Sequence, residues 1–235
     1  MLAVRILVCL VIGYVLGNFS TGYIVSKIYK VDIRNEGSGN VGTTNAFRTM
    51  GRKAGIITFI GDFLKVFIPL LVMRYVIYPD LEYLELLMLV LGFGCVLGHN
   101  FPFLLGFKGG KGIAVTSGVF LAFDYRILIP GVLIFALICI FTKYVSVASL
   151  TISFLFPCWI AVTRYFDLDF FGMAVRNVQN GTLENRFYSA MVFTGLLYFL
   201  SAYIRHIPNI KRLKNGTENK IGQNHPAKAA AKDRK

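Results

Sequence analysis

The chain has 235 residues, 55% of them hydrophobic and 16% charged, and a mean hydropathy of +0.61. Its apolar residues come in long runs, which excludes an ordinary soluble domain and predicts an all-α polytopic membrane protein. The formal charge of +13 sits mostly in polar loops and at the C-terminal end, a placement that suits anionic lipid headgroups better than nucleic acid. Cys9, Cys95, Cys139 and Cys158 all lie inside apolar runs, without CxxC spacing, so neither a metal site nor a disulfide framework is expected.

Residues 2–28 form the first predicted span. Its apolar stretch is too long for a secretory signal and no small-x-small cleavage site ends it. Asn18, Ser20 and Thr21 are polar at membrane depth, which turns them toward the bundle interior, either for helix packing or along a substrate path.

Residues 30–54 make the first long polar loop. Gly37, Gly39 and Gly42 spell G-x-G-x-x-G, but a membrane helix precedes them and no βαβ unit follows, so a dinucleotide site fails on context. The loop does offer Ser38, Gly39, Asn40, Thr43, Thr44 and Asn45 on a glycine-rich backbone. Arg48 adds a planar fork suited to phosphate.

The second predicted span, residues 55–78, carries Asp62 and Lys65 on one helical face. An unpaired charge in hydrocarbon costs about 3 kcal/mol. The two are therefore expected to pair, as a structural ion pair or as one wall of a site. Pro79, Asp80 and Glu82 mark a turn, and residues 84–97 form a third span that delivers the chain to His99.

The stretch from Gly98 to Thr116 organises the chain: Gly-His-Asn-Phe-Pro-Phe-Leu-Leu-Gly-Phe-Lys-Gly-Gly-Lys-Gly-Ile-Ala-Val-Thr. Gly109, Gly110 and Gly112 are expected to leave backbone N–H groups uncovered around Lys111, which suits a bound phosphate. A tight turn between two helices is the other reading. His99, Asn100 and Lys108 belong to the same candidate site.

Residues 113–123 and 127–141 form two short spans turned by Asp124, Tyr125 and Arg126. Such lengths need tilt or shelter within a bundle. A sixth span runs to about residue 162 and is expected to break at Pro157; residues 164–186 read as a surface-lying polar segment, and 188–204 form the seventh span. Seven crossings place Lys30, Arg34, Arg48, Arg52, Lys53, Lys108, Lys111, Lys143 and the basic tail on one side, which the positive-inside rule makes cytoplasmic, with the N-terminus outside. Lys211, Arg212 and Lys214 suit an anchoring role just after the last span, but anchoring explains none of His206, Asn209 and Glu218. Residues 1–222 then form a single transmembrane domain, and 223–235 a basic tail predicted to be disordered.

Three spaced motifs carry a resemblance: Gly37-Ser38-Gly39-Asn40-Val41-Gly42-Thr43-Thr44-Asn45 with Arg48; Gly98-His99-Asn100 with Phe107-Lys108-Gly109-Gly110-Lys111-Gly112; and Arg205-His206-x-x-Asn209-Ile210-x-Arg212-Leu213 with Gly216-Thr217-Glu218. In motif order and over nearly its whole length, the chain resembles the bacterial membrane acyl-phosphate:glycerol-3-phosphate acyltransferases of the PlsY type. Thr43 stands where a small residue, commonly Ala, is expected.

The resemblance implies transfer of a fatty acyl group from acyl phosphate to the sn-1 hydroxyl of glycerol 3-phosphate, giving lysophosphatidic acid and inorganic phosphate, in a bacterial inner membrane with the site at the cytoplasmic face. It implies catalytic roles for Ser38, His206 and Asn209 and a glycerol-phosphate cradle at Lys111 and its glycines. It leaves Glu218 structural and needs no cofactor or metal, because an acyl phosphate is already activated. A soluble enzyme that makes acyl phosphate is an expected partner. Chemistry by orientation and charge fits the absence of a Gly-x-Ser-x-Gly elbow. The H-x4-D pair of CoA-dependent acyltransferases is also missing, with Leu104, Lys211 and Ala230 in the place of the Asp.

A carrier for small phosphorylated anions is the rival from another class, but its cations would lie at the midplane, whereas these fall in loops. A P-loop nucleotide site fails on spelling, with Leu105 for the first Walker glycine and Gly112 for the Ser or Thr.

Overall fold

The structure, a computed structural model, describes residues 1–78, 81, 83–123, 125–165 and 183–223. All regular structure among them is helical: α1 (Leu2–Gly17), α2 (Thr21–Ile28), α3 (Thr43–Thr49), α4 (Arg52–Val72), α5 (Leu84–Asn100), α6 (Ile113–Phe123), α7 (Tyr125–Thr142), α8 (Val145–Tyr165) and α9 (Leu183–Lys214). Five segments are long and apolar enough to cross a membrane: Leu2–Ile28, Arg52–Ile77, Leu84–Leu105, Val145–Val162 and Phe187–Lys214. Ile113–Phe123 and Ile129–Thr142 are shorter apolar helices.

Helix α5 is the hub, packed on α1, α6 and α9, and most of its side chains are buried. Pairs α4·α6, α7·α8 and α8·α9 complete the bundle. Apolar side chains on α1, α4 and α7, such as Leu7, Ile60 and Ile140, face outward, as lipid contact requires.

The α1–α5 contact is made by glycines. Gly13 and Gly17 on α1 meet the backbone of Leu91, Cys95 and His99, while Gly94 and Gly98 on α5 meet the backbone of Leu10 and Tyr14. Each helix thus carries a small-xxx-small pair, and a Cβ at any of the four would fall on a facing backbone atom. In lipid, where no hydrophobic force draws apolar helices together, this close backbone packing holds the first span against the hub.

The first span differs from the single helix expected. It breaks at Asn18, Phe19 and Ser20, and several of the polar groups freed there find partners. Lys65 Nζ donates to the carbonyls of Gly17 (3.3 Å) and Phe19 (2.8 Å). The Thr21 N–H donates to Asp62 Oδ1 (3.3 Å), and Ser20 caps α2. Asp62 and Lys65 pair as expected, at 3.0 Å. A break at membrane depth is tolerated only where its backbone is satisfied within the protein, and this buried pair does that.

Other boundaries moved. Residues 30–54 are not all loop, since α3 forms within them. The second span begins at Arg52 and ends in a π-helical turn, Met73–Ile77. Helix α8 runs unbroken through Pro157 and α9 through Pro208 to Lys214. The turn residues Pro79, Asp80, Glu82 and Asp124, most of the polar segment at 164–186 and the tail from 224 lie outside the described residues.

Gly98→Ala and Gly131→Ala should therefore move stability in opposite directions. Alanine normally improves a helix interior by about 0.5–1 kcal/mol over glycine, and Gly131 has open space around it. At Gly98 the new Cβ meets the Tyr14 carbonyl, so the melting temperature of the purified protein should fall. A rise for both variants would disprove the close α1–α5 contact.

Candidate active site

Helix α6 begins after Gly112, whose φ of +77° is a conformation that L side chains rarely adopt. The turn before it is tied down on both sides. Gly109 N–H donates to the Asn100 carbonyl (3.3 Å) and Gly110 N–H to the His99 carbonyl (3.0 Å). Two of the glycine N–H groups expected to face a phosphate are thus already engaged. Those of Lys111 and Gly112 have no acceptor among the described residues, and they precede a helix N-terminus, where an anion is favoured.

Helix α9 reaches the same place. Its uninterrupted course puts His206 and Asn209 three residues apart on one face. Lys111 Nζ donates to Asn209 Oδ1 (2.6 Å), Asn209 Nδ2 to Glu218 Oε1 (2.6 Å), and Arg212 Nε to Glu218 Oε2 (2.7 Å). The chain from Lys111 to Arg212 therefore joins the glycine loop, the last span and the segment after it. His206 is buried, with Nδ1 2.7 Å from the Ala202 carbonyl. A carbonyl only accepts, so Nδ1 carries the proton and Nε2 keeps its lone pair.

The electrostatics follow from this crowding. Burial, together with the nearby charges of Arg212, Arg205 and Arg48, pulls Lys111 down to about 8 against the pull of Glu218. Arg48 is lowered by burial and by Arg212, again opposed by Glu218. Burial pushes Glu218 up, but the bonds from Asn209 and Arg212 outweigh it and hold the carboxyl below its usual range. Arg48 of the first loop therefore shares this neighbourhood with Lys111, Asn209, Arg212 and Glu218.

Other predicted residues have different surroundings. Ser38, Gly39, Thr44 and Lys108 are exposed. Asn40 Oδ1 accepts from the Gly42 N–H (2.9 Å). Asn45 is 2% exposed and spends its side chain within its own loop: Oδ1 accepts from the Ser38 N–H (2.9 Å), and Nδ2 donates to the carbonyls of Ile33 (3.2 Å) and Glu36 (2.9 Å). It fixes where Ser38 is presented.

His99 and Asn100 point into the bundle. His99 Nδ1 lies 3.0 Å from Lys65 Nζ and so acts as the acceptor, and Asn100 Nδ2 donates to Ser201 Oγ (3.0 Å). The sequence placed Arg205 in the third motif without a role; its Nη2 and Nε donate to the carbonyls of Gly109 (2.8 Å) and Gly110 (2.9 Å). The available signal was an arginine one residue before His206, on a helix long enough to leave the membrane. Among the described residues no group of three His, Cys, Asp or Glu side chains is placed to share a metal ion.

A family model described as glycerol-3-phosphate acyltransferase matches residues 7–216. The glycerol-3-phosphate acyltransferase of Clostridioides difficile is 39% identical over 216 residues, covering 91% of this chain and 94% of that protein. That of Geobacter sulfurreducens is 32% identical and covers 92% and 97%. The crystal structure of PlsY, an integral membrane glycerol 3-phosphate acyltransferase, in its glycerol 3-phosphate form matches with a TM-score of 0.75 at 32% identity, covering 92% of this chain and 96% of that one. Its lysophosphatidic acid form gives a TM-score of 0.73.

Because Lys111 is lowered to about 8, its ammonium discharges as pH rises through that value, where an exposed lysine stays charged. Inorganic phosphate should therefore bind the ligand-free protein more weakly above about pH 8. Lys111→Arg, which keeps its charge, should remove that decline. A phosphate affinity that stays flat from about pH 7 to 10 in the unaltered protein would contradict it.

Proposed function

The chain belongs to the glycerol-3-phosphate acyltransferase family, and on that premise we propose that it acylates the sn-1 hydroxyl of glycerol 3-phosphate with a fatty acyl group taken from acyl phosphate. The products are lysophosphatidic acid and inorganic phosphate. The observation that carries this reading is the hydrogen-bonded chain from Lys111 through Asn209 and Glu218 to Arg212, set beside a His206 ring whose Nε2 has no partner among the described residues.

The unengaged N–H groups of Lys111 and Gly112, with the Lys111 ammonium, receive the phosphate of glycerol 3-phosphate. Arg48 and the Ser38 loop receive that of the acyl donor. His206 Nε2 accepts a hydrogen bond from the attacking hydroxyl, and Asn209, on the same helix face, lies beside it. The hydroxyl oxygen forms a bond to the acyl carbon, the acyl carbon–phosphate oxygen bond breaks, and phosphate leaves with the bonding pair. The released proton passes to His206 or to a phosphate oxygen. A mixed anhydride needs orientation and charge more than a covalent intermediate, and held geometry alone is worth about 7–11 kcal/mol in well-oriented systems.

Purified protein given acyl phosphate and glycerol 3-phosphate should form lysophosphatidic acid, and acyl-CoA should not replace acyl phosphate. Turnover with acyl-CoA at a similar rate would overturn the donor assignment. In that assay His206→Ala should lose about 10²–10⁴ in kcat with folding intact. His206→Gln separates two roles, since Gln bonds a hydroxyl but cannot take its proton. Activity retained by Gln assigns the proton to a substrate phosphate, and activity retained by both removes His206 from the mechanism.

The chain is proposed to cross a bacterial inner membrane seven times, the short helices α6 and α7 included, with the N-terminus outside and the site at the cytoplasmic face, where a soluble enzyme supplies the acyl phosphate. The cation asymmetry supports this orientation. Single cysteines at Ser38, Lys108 and Lys214 should resist a membrane-impermeant reagent in intact cells and react after permeabilisation. Labelling of any of them from outside would reverse the topology.

A further inference from the structure

We propose that Arg205 is a positioning residue for the phosphate site: its guanidinium holds the Gly109 and Gly110 carbonyls so that the Lys111 N–H faces the bound phosphate. The inference rests on the assignment of the glycine loop to glycerol 3-phosphate. Arg205 itself bonds only the loop among the described residues, through Nη2 to Gly109 O (2.8 Å) and Nε to Gly110 O (2.9 Å).

Peptide planarity turns these two bonds into a directional constraint. In a planar trans peptide the C=O and the following N–H point opposite ways. Arg205 draws the Gly109 carbonyl to one side, and the partner N–H, that of Gly110, points the other way and meets the His99 carbonyl at 3.0 Å. The same geometry governs the next peptide. With the Gly110 carbonyl drawn to Arg205, the Lys111 N–H is directed away from it, and there it finds no acceptor among the described residues.

The fork is itself set in place, since Phe101 lies under the Arg205 guanidinium, 5.2 Å from its carbon to the ring centroid. His99, on the other side of the loop, is held by Lys65 Nζ (3.0 Å), and its Nε2 abuts Gly110. The glycines are needed because a Cβ at Gly109 would strike the His99 carbonyl and one at Gly110 the His99 ring. An ammonium at position 205 cannot reproduce the constraint, because it lacks the two-pronged planar geometry that spans successive carbonyls.

The test compares Arg205→Lys and Arg205→Met with Lys111→Ala in the full-length enzyme, reading the KM for each substrate, kcat and thermal stability. Both Arg205 variants should raise the KM for glycerol 3-phosphate by about tenfold or more, with the KM for acyl phosphate within about twofold of normal. A purely structural role would lower thermal stability without dividing the two KM values. Full recovery by lysine, unchanged KM values, or an increase in the KM that Lys111→Ala leaves unaltered would each overturn the clamp. If Arg205 and Lys111→Ala together raise the acyl-phosphate KM instead, the clamp stands and the substrate assignment of the loop falls. Should Arg205→Met fail to fold, Phe101→Leu decides, because it removes the platform and leaves both bonds possible: a rise in the same KM supports the clamp, and an unchanged one refutes it.

Discussion

Positive charge gathered in a half-buried place is the constraint on which the rest of this site depends. Lys111 feels the charges of Arg48, Arg205 and Arg212, against the single opposing charge of Glu218. Cations brought out of water repel one another and lose hydration, and only bonds and counter-charge offset that loss. Glu218 serves two of them, directly at Arg212 and through Asn209 at Lys111. Arg205 is satisfied by backbone carbonyls instead. On the proposed reading, a doubly charged phosphate ester would offset the remaining imbalance on binding.

The same rule operates deeper in the bundle. The break between α1 and α2 interrupts an apolar span, where lipid supplies no hydrogen bonds, and the turn between α5 and α6 joins two apolar helices. Lys65 and Asp62 close the first, while Arg205 and the last carbonyls of α5 hold the second. His99 joins them, touching Lys65 on one side and Gly110 on the other. The close glycine contact of α1 with α5 is what brings the break within reach of His99. A membrane scaffold thereby carries a polar site whose Lys111 and Gly112 N–H groups are kept without an acceptor among the described residues.

Much of this was legible in the sequence, and the division has a physical basis. Hydropathy is local, so the membrane class, the positions of the apolar runs and the bounds of α6 could be read directly, while α7 takes in Tyr125 and Arg126, which were expected in the turn before it. The expected pairing of Asp62 with Lys65 followed from their shared helix face and the cost of a lone charge in hydrocarbon. The three polar motifs were also visible, because glycines among hydrogen-bonding and basic residues have no place in an apolar span.

What only the tertiary structure decided is which atoms those motifs leave free. Asn45 looked like a ligand and is a bracket for its own loop. His99 and Asn100 turn into the bundle, and two of the glycine N–H groups are already bonded. The last span was expected over 188–204, yet α9 continues through Pro208 to Lys214 and places His206 and Asn209 on one face. Arg205 acquires a role only because α9 lies against a loop about a hundred residues earlier in the chain. A residue's type states what it is able to donate or accept, and that much is written in the sequence. Its partner depends on which remote segment lies within about 3 Å, and packing alone settles that.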